Sequence, residues 1–346
     1  MTANPLGSAP ITIPAHPLAV ADGGSPDWAA QRLLTRYYVA AGATGVGVGV
    51  HTTQFEIHDD PALLERCYGE AADVVGQFGP EVRLVAGVAG DTEQALREAE
   101  VAAGHGYRAA LLCSYAMTDR SEQALLRRAR AVADVLPVVG FYMQESVGGS
   151  YLSPSFWERL FAIDGVVATK VAPFERYRTL DVATALARSP RWRDIHLVTG
   201  NDDAILADLM LPITVDVDGE RRAIRFAGGL LGQWAVGTRN AVTLTERAVG
   251  AGAAELTDDL LAVAADLTAV NQAIFDPENN FAGAVAGVNE LLRQQGLLAS
   301  SRCLSDRERL SPGQADRIAA VRARFPELVD EQFIAAGIDG WRRDVA

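Results

Sequence analysis

The chain is nearly without lysine. Of its 31 basic side chains 30 are arginine, and the remaining one is Lys170. Arginine can stand in for lysine wherever only a positive charge is needed. It cannot replace an amine that must lose its proton and attack a carbonyl, because guanidinium stays charged at any accessible pH. The one retained lysine is therefore a candidate for chemistry before any motif is considered. Cysteine is also scarce. Cys67, Cys113 and Cys303 are odd in number and far apart, which implies neither a disulfide framework nor a paired-cysteine metal site and points to thiols in a reducing compartment. No apolar run approaches the length of a membrane span, and residues 1–14 show no basic segment leading into an apolar one. We expect no secretory leader, no membrane partner and a cytoplasmic location. The formal net charge of −13 argues against nucleic acid as a partner, since no basic surface could meet the phosphates.

What the 346 residues do contain is a regular alternation. Short apolar runs occur at Ile11–Ala15, Gly45–Val50, Arg83–Gly87, Ala109–Cys113, Val138–Tyr142, Val166–Lys170, Ile195–Thr199 and Ile224–Leu230. Each is continuous rather than alternating, as in strands buried on both faces of a parallel sheet. Between them lie amphipathic stretches at Asp27–Ala41, Pro61–Gln77, Thr92–Gly104, Ser121–Val135, Pro154–Ile163, Leu180–Arg188 and Asp202–Met210. Ser153-Pro154 reads as a helix start, and Gly42, Gly104 and Gly106 fall where helices should stop. The pattern predicts an α/β fold, a (β/α)8 TIM barrel, with a doubly wound open sheet as the alternative. Ile213–Val217 and Arg222–Phe226 flank Asp218-Gly219, a hairpin signal inserted near the eighth strand. Beyond Gly250 the pattern is helical: Leu256–Asn271, Phe281–Gln295, Pro312–Arg324 and a short element at Asp330–Ala336. We therefore divide the chain into a barrel, 1–250, and a C-terminal helical appendage, 251–346.

Active sites of such barrels lie at the C-terminal ends of the strands. Lys170 ends the sixth run, where apolar walls can lower an amine's pKa enough to make it a nucleophile. Tyr142 ends the fifth run, where a phenol could shuttle protons or simply pack at the rim. His51-Thr52-Thr53 follows the second run. Its hydroxyls and backbone N–H groups could cradle a carboxylate, or cap a turn. Arg176 and Arg178 could bind an acidic group, although surface arginine is the default here. His51, His58, His105 and His196 show no ligand spacing, so no metal is expected.

These residues together resemble the dihydrodipicolinate synthase / N-acetylneuraminate lyase superfamily of class I aldolases, over about residues 10 to 300. The markers are Gly42–Thr53, Val85-Ala-Gly-Val88, the strands ending in Tyr142 and Lys170, and Thr199-Gly200-Asn201-Asp202. The resemblance implies a TIM barrel with C-terminal helices, usually a homotetramer, with a dimer also in view. It implies that Lys170 forms a Schiff base with a 2-keto acid, pyruvate by default, so that the covalent imine takes the place of a cofactor. It makes Tyr142 the proton shuttle and seats the keto-acid carboxylate on Thr52 and Thr53, with Thr52 relaying protons. Gly200 and Asp202 would touch substrate hydroxyls, and Tyr115 and Gln144 are taken as further substrate-facing positions.

The chain also departs from the family pattern. Gln54-Phe55 stands where Gly-Glu is usual, and Tyr115-Ala116 where the synthases carry Tyr-Tyr. Met143-Gln144-Glu145-Ser146-Val147 follows Tyr142 in place of Asn-x-Pro, with no arginine to clamp a carboxylated aldehyde. The expectation is a Schiff-base lyase or aldolase that is not a lysine-pathway synthase, its second substrate an aldehyde or a sugar acid. A sugar-acid dehydratase or hydratase-aldolase working through the same imine is the alternative. A non-catalytic keto-acid-binding or regulatory member of the fold is the alternative of another class.

Overall fold

The computed structural model describes residues 4–250 and 258–346. The barrel runs β1 (Ile11–Pro14), α1 (Trp28–Ala41), β2 (Gly45–Val48), α2 (Pro61–Phe78), β3 (Arg83–Val88), α3 (Thr92–Gly104), β4 (Ala109–Leu112), α4 (Glu122–Ala133), β5 (Val138–Met143), α5 (Pro154–Phe161), β6 (Val166–Ala172), α6 (Arg176–Arg188), β7 (His196–Thr199) and α7 (Ile205–Met210). A two-stranded antiparallel hairpin follows, β8 (Ile213–Val217) and β9 (Glu220–Ile224), then β10 (Phe226–Leu231) and α8 (Thr238–Gly250). The tail is α9 (Asp258–Phe275), α10 (Ala284–Gln294), α11 (Gln314–Arg324) and α12 (Glu331–Asp344). Among the described residues no helix is long and apolar enough to cross a membrane.

Eight parallel strands form one sheet in the order β1-β10-β7-β6-β5-β4-β3-β2. The ends meet through one bridge between Ala15 and Gly47, with the His16 amide donating to the Gly47 carbonyl at 2.8 Å. The sheet is thus a (β/α)8 barrel, as the alternation predicts. Strand residues alternate in and out. Val139, Ala168, Val198 and Leu230 fill the barrel, while Val138, Val166, Val171 and Leu197 pack outward under the helices.

The helix starts follow from local chemistry. Asp27, Asp60, Ser121 and Ser153 accept from the N–H groups of the first turns of α1, α2, α4 and α5, and Pro61 and Pro154 open α2 and α5. Gly42 ends α1 at φ 88°, a left-handed value that suits glycine. The hairpin turns at Asp218 (φ 50°) and Gly219 (φ 82°), the two positive values a tight turn between twisted strands requires.

Several boundaries differ from the sequence reading. β6 continues two residues past Lys170, so the lysine lies inside the strand. α6 begins at Arg176 because Glu175 caps the amides of Tyr177 and Arg178. α7 begins only at Ile205, after a turn. α8, which completes the barrel's eight helices, was not anticipated as an element. α12 runs to Asp344, well beyond the short element expected. Leu256, the expected start of the first tail helix, lies outside the described residues, as does the segment next to the proposed domain boundary at 250.

The tail is tied to the barrel at Asp330. Its backbone opens α12, while its buried carboxylate caps α8, accepting from the amides of Arg239 (2.6 Å) and Asn240 (2.9 Å) and from the Tyr37 hydroxyl (2.6 Å). Tyr37 also lies against Trp341 of α12, ring centroids 5.7 Å apart. Replacing Asp330 with Ala leaves two helix-terminal donors and a phenol without their acceptor. We expect a stability loss of about 2–4 kcal/mol in urea denaturation, from loss of a cap and of buried hydrogen bonds. A loss under about 0.5 kcal/mol, the range of an ordinary surface change, would show that the tail is held otherwise.

Candidate active site

At the C-terminal mouth of the barrel lies a small cavity of about 70 Å³, several times the ~10–15 Å³ that one water needs. Its walls include Ala15, Val50, His51, Thr52, Phe141, Met143, Gln144, Lys170, Ala172, Gly200 and Asp202. The tail closes it from above with Phe275, Phe281 and Ala284.

Lys170 points inward from β6, its Cα in register with Phe141 of β5 and Val198 of β7. It is 8 % exposed, and among the described residues it makes no ion pair or hydrogen bond. Its Nζ lies 4.6 Å from the centroid of the Phe141 ring, a contact with the negative face of the π-system. Burial lowers the amine's pKa, and the charge of Asp202 and the nearby Cys113 thiol work against that. Gly200 makes the room: a Cβ there would stand 2.5 Å from Lys170 Cε and 2.8 Å from Ala172 Cβ.

Asp202 is 9 % exposed. Its Oδ1 accepts from the Gln233 amide at 3.1 Å, and its carbonyl accepts from Asn271 Nδ2 of α9 at 2.6 Å. Burial raises its carboxyl to about 7, against the lowering effects of the Gln233 amide and of Lys170. His51 borders the opposite wall. Burial, then the charge of Lys170, lowers its imidazole to about 4.

The hydroxyls of the threonine pair part company. Thr52 borders the cavity, its Oγ1 donating to the Ala15 carbonyl at 2.8 Å. Thr53 does not border it. Its Oγ1 accepts from the amides of Gly49 (3.0 Å) and Val50 (3.2 Å) and donates to the His16 carbonyl (2.6 Å), fixing the turn after β2. The expected cradle on both hydroxyls is thereby reduced to Thr52, since consecutive residues of a tight turn face different ways.

Tyr142 is a larger correction. It faces outward from β5, is 1 % exposed, and its ring lies 5.1 Å from that of Trp157 of α5. Its hydroxyl accepts from the Leu152 amide at 3.5 Å. The cavity-facing residue is its neighbour Phe141. On a strand, adjacent side chains take opposite faces, so the phenol cannot reach Lys170. Tyr115 is also away from the cavity, its hydroxyl donating to Asp59 Oδ2 at 2.7 Å and its ring stacked on Phe55. Gln144 does border the cavity, donating to Ser146 Oγ at 3.3 Å. Glu145 is exposed and paired with Arg178, and Arg176 is paired with buried Asp208.

The sequence reading missed the aromatic walls. Phe174 follows β6 at φ 53° and Phe281 precedes α10 at φ 64°, their rings edge to face with centroids 5.7 Å apart. The Phe174 amide donates to Asn201 Oδ1 at 3.0 Å. With Phe275 and Asp202 these two separate the inner cavity from an outer chamber of about 330 Å³, bordered also by Asp203, Thr268, Asn271, Gln272 and Pro277. Nothing local pointed to Phe141, Phe275 or Phe281 as cavity walls. Among the described residues no group of three His, Cys, Asp or Glu is placed to hold a metal.

No protein-family model matches the chain, and no curated protein sequence matches it. Solved structures do match in fold. A dihydrodipicolinate synthase from Bacteroides thetaiotaomicron superposes with a TM-score of 0.73 at 14 % identity, covering 91 % of this chain and 99 % of that one. An N-acetylneuraminate lyase from Fusobacterium nucleatum gives 0.71 at 16 %, covering 91 % and 98 %. A prophage protein of the dihydrodipicolinic acid synthase family from E. coli K12, in complex with pyruvate, gives 0.73 at 17 %, covering 92 % and 99 %. These are structures of the superfamily that the sequence markers resemble, and at this identity they establish that the chain shares its barrel fold.

Proposed function

We propose that this chain is a class I lyase of the aldolase type that forms an imine between Lys170 and a 2-keto acid. The observation that carries the reading is the chain's sole lysine, buried at the barrel mouth with no ion pair among the described residues and with its pKa lowered. Holding an ammonium there costs free energy, and an amine free of its proton is the nucleophile that imine formation requires. Support comes from the shared fold with solved relatives, two of which are complexes with pyruvate.

In this reading the keto acid's carboxylate lies against Thr52 and the first N–H groups of the turn after β2, which have no intrahelical acceptors. The carbonyl faces Lys170, and the imine then acts as the electron sink for breaking a bond one carbon away. No cofactor is needed for that chemistry. Carbon–carbon cleavage, its reverse, and loss of water from a sugar acid all share this first half, with an aldehyde or sugar acid as the second partner. The expected cytoplasmic location and homodimeric or homotetrameric assembly belong to the same proposal. One observation favours the rival reading of a non-catalytic keto-acid binder: among the described residues no phenol borders the amine's cavity.

Incubation with pyruvate and sodium borohydride, followed by intact-mass measurement, separates the two. A reduced adduct on the wild type and none on Lys170→Arg is the expected result. No adduct with pyruvate or with a panel of other 2-keto acids would leave the binder.

The room above Gly200 gives a second prediction. In Gly200→Ala a methyl group falls within 2.5 Å of the lysine stem, and displacing the amine from its attack position costs rate steeply. We expect adduct formation to slow about tenfold or more, with an unchanged circular dichroism spectrum. A wild-type rate in that variant would show that the stem has other room to move.

A further inference from the structure

We propose that Asp202 moves the proton at this site, its carboxyl protonating the substrate oxygen as Lys170 attacks and again as that oxygen leaves as water. The inference rests on the imine reading above. Imine formation requires a proton donor on the substrate's oxygen, and the expected donor is absent: Tyr142 faces α5, and the cavity-facing Phe141 carries no exchangeable proton.

The polar side chains that border the cavity, besides Lys170, are His51, Thr52, Gln144 and Asp202. Thr52 has its hydroxyl proton committed to the Ala15 carbonyl. The amide of Gln144 does not ionise in the accessible range. His51 is held neutral, its imidazole lowered to about 4, so it has no ready proton to give near pH 7. Asp202 remains. It is fixed from two sides, by the Gln233 amide on its carboxylate and by Asn271 on its carbonyl.

Burial does most to set its protonation, and the charges around it adjust that. Lys170 faces it from β6, His51 stands on the opposite wall, and Asp203 adjoins it, itself beside Asp208 and Arg176. Gln233, Asn271, Phe275 and Phe281 bring no charge. With the carboxyl raised to about 7, acid and base forms coexist near neutrality, the condition under which one group can both give and retrieve a proton.

The steps balance. Neutral Lys170 adds to the carbonyl carbon while the Asp202 carboxyl protonates the oxygen, and the resulting carboxylate takes the extra proton from nitrogen, giving the neutral carbinolamine. The regenerated carboxyl then protonates the hydroxyl. The C–O bond breaks, the nitrogen lone pair forms the C=N bond, and the products are water, a protonated imine on Lys170 and the Asp202 carboxylate.

The test is the single-turnover rate of imine formation with pyruvate, quenched into borohydride and read by intact mass, from about pH 5 to pH 9. The wild-type rate is expected to rise with pH below both pKa values and to fall above the higher of the two, where the amine is neutral and Asp202 has lost its proton. Asp202→Asn, nearly the same shape and still able to accept from Gln233, should form the same adduct about 100-fold more slowly or worse, without the falling limb. Asp202→Asn at the wild-type rate, or a wild-type profile with no falling limb, would overturn the proposal while leaving the imine reading intact. No adduct on the wild type with any 2-keto acid would overturn both.

Discussion

An ammonium taken out of water without a counterion is unfavourable by several kcal/mol in real proteins, and the mouth of this barrel is built around that constraint. Strand pairing sets Lys170 between Phe141 and Val198. Phe141 offers a ring face rather than a carboxylate. Asp202 shares the cavity but does not close an ion pair. Burial drives the two groups toward a neutral amine and a neutral acid, and their mutual attraction drives them toward two charges. The site therefore holds an amine and a carboxyl with opposed tendencies in a small, largely apolar cavity, which is the arrangement that proton-coupled attack on a carbonyl exploits.

How much of this was legible in the sequence depended on the kind of signal. Eight apolar runs separated by amphipathic ones specify a parallel sheet under helices, because strands buried on both faces need apolar residues throughout. That same continuity removes the phase. In Val138–Met143 both faces are apolar, so nothing local says whether residue 141 or 142 looks inward, and an error of one residue exchanges the two faces. Tyr142 enters the expected site by its place at the end of the run and by resemblance, neither of which gives the phase, and Phe141 faces the cavity instead. Lys170 was legible for a different reason: its singularity is a property of composition and does not depend on register. Thr52 and Thr53 show the same limit on a smaller scale, since adjacency in a turn does not give two side chains one direction. Gly200 and Asp202, placed in the loop after β7 by resemblance, do border the cavity.

The tail was legible as helices but not as part of the site. Phe275 ends α9 and Phe281 precedes α10, more than 100 residues after Lys170 in the chain, and no local pattern relates them to it. The three-dimensional link is made by groups that look ordinary in sequence. Asn271 reaches the carbonyl of Asp202, and Asp330 caps a barrel helix from the start of the last tail helix. The appendage thus lowers the polarity around the amine and fixes the carboxyl's backbone, so what reads as a separate C-terminal segment is a wall of the cavity.

The cations near the mouth complete the electrostatic picture. Arg176 is held by Asp208, and Arg178 by Glu145 with Glu175 close by. Neither borders the inner cavity or the outer chamber, whose walls are Phe174, Phe275, Pro277 and Phe281, the carboxyls of Asp202 and Asp203 and the uncharged Thr268, Asn271 and Gln272. Within these walls Lys170 is the only side chain able to carry a full positive charge near pH 7, and in the proposed reaction its nitrogen is consumed by the imine. A second substrate bearing its own carboxylate would therefore meet acidic groups and aromatic edges where recognition of an anion calls for a free guanidinium. An uncharged partner with apolar surface and hydroxyl donors for Asp202 and Asp203 meets no such opposition. The departure already visible after β5, where Gln144-Glu145 replaces an arginine clamp, and the pairing of Arg176 and Arg178 point the same way. In the proposed reading, the half of the site that receives the second substrate therefore disfavours an anion.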